Sequence, residues 1–154
     1  MGAEERLKEL SLDLPPAPQP VASYVPVVVS GDLAFVAGQV AMSEGKPLWS
    51  GKLGAEIDVD TGIQAARRCA MQALSALRAE LGSLDRVARI VKVSVYVASA
   101  EGFTDQPKVA NGASDLFVDV FGDAGRHARA AVGVAELPLG APIEVEVIAE
   151  IEPA

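Results

Sequence analysis

The residues of this chain best suited to chemistry lie near its carboxyl end. His127, Arg129, Ala131 and Gly133 occur at alternate positions, and Glu144 opens the run Glu144-Val145-Glu146-Val147-Ile148. In a strand, side chains alternate faces, so the first four share one side. A guanidinium among small side chains has room beside it for a ligand. It offers two parallel donors to a carboxylate and stays charged when partly desolvated. A carboxylate such as Glu144 orients water through charge-assisted hydrogen bonds, and in a secluded cleft its pKa rises toward values at which it exchanges protons. Each residue also has a plainer role. Arg129 can pair with Glu144 or Glu146 across neighbouring strands. Glu144 can belong to a solvated acidic face, although Ile148 on the same face weakens that account. His127 can act as acid or base, or serve only as a hydrogen-bonded or exposed side chain.

Two strands must present these residues, Gly125 to Val134 and Ile143 to Glu150, joined by a loop through Glu136-Leu137-Pro138. Earlier in the chain, Tyr24 to Ser30 and Leu33 to Val40 are rich in β-branched and aromatic residues, and Gly31-Asp32 between them suits a hairpin turn. The segment Met42 to Ile57, with four glycines or prolines around Trp49, reads as a long loop, either functional or an ordered surface loop pinned by the tryptophan. Apolar positions at three- and four-residue steps predict a helix over Thr61–Leu81, with Asp60 as N-cap and Gly82 as C-cap. Cys69, at the edge of its apolar stripe, reads as a buried thiol. Valine-dense Arg89 to Ala98 fits a central strand covered on both faces. A second helix follows from Pro107 to Gly122. Ahead of all this, Glu4 to Leu10 is good for one or two helical turns, and Pro15-Pro16-Ala17-Pro18-Gln19-Pro20 must be extended. The order β-β-α-β-α-β-β implies an α+β domain over 21–154, one sheet with two helices on one face, behind a lead-in over 1–20.

A length of 154 residues, half of them hydrophobic and 22% charged, suits one globular domain. A formal charge of −8, from 21 acidic against 13 basic residues, lacks the basic footprint of a protein that holds nucleic acid by its phosphates. One cysteine and one histidine allow no internal disulfide and none of the usual zinc sets. Met1 to Leu10 lacks the apolar core of a signal peptide, and no apolar run approaches the length of a membrane span. The expectation is a cytoplasmic protein with neither metal nor cofactor, and with no nucleic-acid or membrane partner.

From Tyr24 to Ile151 the chain resembles the YjgF/RidA family, also called reactive-intermediate deaminases and formerly endoribonuclease L-PSP. The blocks that carry the resemblance are Val36-Ala37-Gly38-Gln39, Val91-Lys92-Val93-Ser94-Val95-Tyr96-Val97, and above all Arg129 through Glu144 with Leu137-Pro138 between. The resemblance implies a chorismate-mutase-like fold and a homotrimer with helices outside, open sheet faces around a central barrel, and clefts between subunits. In such clefts 2-imino or enamine acids are hydrolysed to 2-keto acids and ammonia. Arg129 matches the arginine that pairs with the substrate carboxylate, and Glu144 the glutamate that positions or activates water. Tyr24 matches a tyrosine at the cleft mouth, Asn111 an asparagine on the second helix, and Pro138 the proline that shapes the wall. The serine before Gly-Gln is Ala37 here, and the cysteine two residues after the arginine is Ala131. Those replacements leave the backbone amides around Gly38 and Ala131 to hold a carbonyl or imine. They also keep open a binding module without turnover as the alternative function. With helices on one face only, Arg129, Glu144 and Ile148 are expected together on the open face, covered by trimer formation.

Overall fold

The computed structural model describes residues 1–19 and 22–154. Pro20 and the boundary placed between the lead-in and the domain lie outside the described residues. Helix α1 (Ala3–Glu9) is followed by strands β1 (Val27–Ser30) and β2 (Leu33–Val40), a two-residue hairpin of β3 (Met42–Ser43) and β4 (Lys46–Pro47), helix α2 (Val59–Leu81), strand β5 (Val87–Ala98), helix α3 (Gln106–Phe121), and strands β6 (Ala128–Val134) and β7 (Ile143–Ile151). The main sheet runs β1-β2-β7-β5-β6 and is antiparallel except for the β5–β6 pair.

The expected order of principal elements holds, with local differences. Helix α2 is capped by Asp58 and not by Asp60. The Asp58 carboxylate accepts the Thr61 N–H at 2.8 Å, which satisfies a donor the first helical turn leaves open and holds the carboxyl below its ordinary range. At the other end Gly82 takes φ 85°, the left-handed conformation expected of a glycine C-cap. The 42–57 segment is a loop only in part. Glu44 and Gly45, both at positive φ, turn β3 into β4, Leu53 bridges to Ile57 and Ser99, and Trp49 packs against the core.

Helices α2 and α3 cover one face of the sheet. Strand β7 shows why, since Ile143, Val145, Val147, Ala149 and Ile151 are buried while the residues between them are not. The helices approach one another closely at Gly112, where a Cβ would stand 2.1 Å from the Ile63 carbonyl oxygen. Strand β5 is covered on this face alone, contrary to its valine-rich appearance. Val93, Val95 and Val97 face the helices, whereas Lys92, Ser94 and Tyr96 point to the other side. That open face carries Val28, Phe35 and Val132, each about half exposed, together with Ile148 and Glu146. A cavity of about 440 Å³ lies between Val28, Phe35, Lys92 and Ile148.

The lead-in is part of this body. Ala3 and Leu7 of α1 are buried, Glu4 bridges the Leu84 N–H and the Arg78 guanidinium, and Ser75 of α2 donates to the Pro15 carbonyl at 2.6 Å. Among the described residues, no helix is long and apolar enough to cross a membrane.

Candidate functional site

The candidate residues fall into two groups on different parts of the molecule. Tyr24, Gly38, Pro138 and Glu144 line one cavity of about 770 Å³, whose remaining wall includes Pro15, Pro16 and Arg68. Its geometry starts from a break in the sheet. The β2–β7 register shifts between Val36 and Gln39, so Ala37 and Gly38 bulge out of the ladder, the kind of irregularity that re-aims groups beside binding sites. The Ala37 N–H donates to the Pro26 carbonyl at 2.8 Å, so it is unavailable to a ligand. Gly38 lies against Glu144 so closely that a Cβ there would stand 2.9 Å from the carboxyl carbon. Glu144 is half-buried, and burial first, then the neighbouring Glu146 charge, raises its pKa above the ordinary glutamate value.

Residues that sequence reasoning passed over hold this wall in place. Gln72 of α2 donates to the Val40 carbonyl at 2.8 Å and accepts the Met42 N–H at 2.8 Å, and it also meets Gln39. Arg68, one turn earlier, donates from Nη2 to the Met42 carbonyl at 3.1 Å. The only available signal was that both polar side chains sit at an i, i+4 spacing beside the helix's apolar stripe.

The second group lies at the β6 edge. The expectation that Arg129 shares the open face with Glu144 and Ile148 is overturned. Strand β6 runs parallel to β5 with Arg129 opposite Val93, which faces the helices, and Arg129 therefore turns toward α3. There its Nη1 donates to Asn111 Oδ1 at 2.8 Å and to Ser114 Oγ at 3.2 Å. Ala131 has the same parity and packs against the core. A cross-strand ion pair between Arg129 and Glu144 or Glu146 is also overturned, because β5 separates β6 from β7. Glu144 stands opposite Tyr96, three residues along β5 from Val93. Within one chain the two backbones are thus roughly 10 Å apart along β5 and roughly 10 Å across it, by ordinary strand spacings.

His127 is half-buried at this edge, with Ser114 Oγ 2.9 Å from its Nε2 and the Gly125 carbonyl 2.7 Å from its Nδ1. Burial and the nearby Arg129 charge lower its pKa, against the raising effect of the Gly125 bond. Its bonds fit a neutral, structural imidazole better than an acid or base. Cys69 is fully buried, with its thiol pushed up to about 12 by desolvation, so a nucleophilic role is unsupported.

Comparison with known proteins bears on the family and the fold. The model of the family described as endoribonuclease L-PSP matches residues 15–151. The chain is 49% identical over 146 residues to protein TCP17 of Trypanosoma cruzi, covering 94% of this chain and 91% of that protein. It is 29% identical over 143 residues to the 2-iminobutanoate/2-iminopropanoate deaminase of Dermatophagoides farinae, covering 92% and 95%. The crystal structure of Atu1372 from Agrobacterium tumefaciens superposes with a TM-score of 0.90 at 44% identity, over 97% of this chain and 92% of that one.

Proposed function

The chain belongs to the endoribonuclease L-PSP family, the YjgF/RidA proteins of chorismate-mutase-like fold, and from that premise we propose that it hydrolyses 2-imino or enamine acids to 2-keto acids and ammonia. The clefts that do so are built between copies of the chain in a homotrimer. Family membership and the deaminase relative support a deaminase or small-molecule-binding role in general, and the arrangement of residues favours the specific one.

The observation that carries the proposal is the division of the candidate residues. A carboxylate of raised pKa stands in a cavity with Tyr24 and Pro138, and an exposed guanidinium stands braced at a sheet edge, too far away to share one small substrate in the same chain. A second copy brings the Arg129–Asn111 edge of one chain to the Glu144 cavity of another. The exposed apolar side chains of Val28, Phe35 and Val132 supply a reason for copies to associate.

In this assembly Arg129 holds the substrate carboxylate and fixes C2 near Glu144. Water adds to C2 of the protonated imine, the C–O bond forming as the C=N electron pair moves to nitrogen, and Glu144 takes the proton that the water loses. The resulting carbinolamine is protonated on nitrogen by Glu144; ammonia then leaves as the C=O bond forms, and the hydroxyl proton passes to the freed Glu144 carboxylate and on to the released ammonia as ammonium. Burial that raises the Glu144 pKa suits it to these transfers.

The test is ammonia release from freshly generated 2-iminobutanoate, with spontaneous hydrolysis subtracted, alongside sedimentation. A rate above background from a trimer is expected. A stable monomer at micromolar concentration removes the shared cleft. A trimer that binds 2-oxobutanoate but releases no extra ammonia favours a binding module, a role consistent with Ala37 and Ala131, where the side chains of the family serine and cysteine are missing.

A further inference from the structure

Arg129 is braced on one side only. Asn111 and Ser114 together take both hydrogens of Nη1, whereas Nε and Nη2 have no protein acceptor among the described residues, and the side chain is exposed. The directions of the surrounding bonds follow from chemistry. Arginine cannot accept, so Asn111 presents its amide oxygen and Ser114 its oxygen lone pair. The Ser114 hydroxyl hydrogen is then free to point at His127 Nε2, 2.9 Å away. The Gly125 carbonyl can only accept, so His127 Nδ1, 2.7 Å from it, carries the ring hydrogen and Nε2 the lone pair. One direction runs through the whole chain of bonds, from Arg129 to Ser114 to His127 to Gly125.

The far end of that chain is fixed by packing. Gly125 is buried where a Cβ would stand 2.2 Å from the Phe117 carbonyl oxygen, and the Phe117 ring meets the imidazole edge-on with centroids 5.9 Å apart. Helix α3 therefore supplies Asn111, Ser114 and Phe117 on one face, at three-residue steps that bring them into line.

We propose that Ser114 and His127 are positioning residues that lock the Arg129 guanidinium so that a ligand carboxylate is taken side-on, by Nε–H and the adjacent Nη2–H. An end-on grip by the two Nη groups would need an Nη1 hydrogen, and both are committed. The side-on fork is intact, and two parallel charge-assisted bonds to a planar carboxylate fit it. The proposal rests on Arg129 being the carboxylate-binding residue, as set out above. It adds two residues, neither of which needs to touch the ligand, and the geometry of the grip.

The chain has one histidine, so nitrogen NMR of the ring reports on His127 alone. The intact wild-type protein at neutral pH is expected to show the Nδ1–H tautomer, and Ser114→Ala is expected to shift the Nε2 signal. Calorimetric titration with 2-oxobutanoate is expected to show binding weakened about three- to tenfold by Ser114→Ala, the scale of one neutral hydrogen bond. Ser114→Thr, which keeps the hydroxyl, restores affinity, and adding His127→Phe to Ser114→Ala costs nothing further, since both act through one chain of bonds. An Nε2–H tautomer in the wild type overturns the relay, and that measurement needs no variant to fold. Wild-type affinity in Ser114→Ala, when Arg129→Lys has lost binding, overturns the positioning role but leaves Arg129 as the carboxylate ligand. Equal binding by wild type and Arg129→Lys refutes the assignment of Arg129 itself, and the side-on grip with it.

Discussion

Gly38→Ala moves Glu144 while leaving the rest of the protein in place. The added methyl would stand 2.9 Å from the carboxyl carbon, 3.0 Å from Oε2 and 3.1 Å from Cγ, whereas ordinary contact begins at 3.4 Å. The carboxylate must therefore retreat by about half an ångström, and a displacement near 1 Å costs on the order of 10²-fold in rate. A loss of about tenfold in enzyme-dependent ammonia release is expected. Folding should hardly notice, because Gly38 has no positive φ and the atoms it meets end a flexible side chain. Alanine in place of strand glycine even lowers unfolded-chain entropy, by roughly 0.5–1 kcal/mol. The assay is ammonia release with background subtracted, beside thermal unfolding and 2-oxobutanoate titration. In the Glu144→Gln background, Gly38→Ala should add little, since the group it displaces no longer exchanges protons. Wild-type turnover in a normally folded Gly38→Ala protein would refute the placement of Glu144 at the reacting centre.

Other expectations follow from the same geometry. Glu144→Gln should keep assembly and keto-acid binding yet slow imine hydrolysis by about 10²-fold, the usual scale for a positioned acid or base, as enzyme-dependent ammonia release will report. Arg129→Lys keeps charge but loses the fork, so calorimetry should show 2-oxobutanoate binding weakened by about 1–3 kcal/mol. Gly112→Ala forces a methyl into the Ile63 backbone carbonyl, which cannot swing aside, and should destabilise the fold by about 3 kcal/mol in denaturant titration. Cys69 should resist thiol reagents until unfolding. Because burial raises its pKa to about 12 from 9.0, the stability it contributes is complete below pH 9 and is lost as pH rises toward 12, with a slope of up to about 1.4 kcal/mol per pH unit that Cys69→Ala removes.

Strand β7 could be read from its sequence because Ile143, Val145, Val147, Ala149 and Ile151 are large enough, Ala149 apart, to specify which face is buried. Both long helices were equally plain from their apolar stripes and glycine ends, although the cap at Asp58 competed with an equally good aspartate two residues on. Glu144 is legible from its place in an alternating strand, whereas Tyr24, Gly38 and Pro138 are legible only through family resemblance, and one cavity joins all four. Gln72 and Arg68 escaped notice because polar residues on a helix usually face water, and only the three-dimensional path of residues 39–42 gives them acceptors.

The misplacement of Arg129 has a physical origin that bears on function. Strand β6 is built of Ala128, Ala130, Ala131, Val132 and Gly133 around the arginine, so neither face is markedly more apolar, and parity separates two faces without saying which meets the helices. The strand's place in the sheet was hidden too, because the loop through Pro138 looks like a hairpin connection yet carries the chain past β5. These same small residues keep the β6 edge low on either side of the arginine. Among the described residues β6 pairs with β5 alone, and a sheet edge lined by small residues is open to another chain. In the proposed trimer, the composition that leaves β6 without a pattern also lets the neighbouring chain's Glu144 cavity come up against a guanidinium that α3 already holds in place.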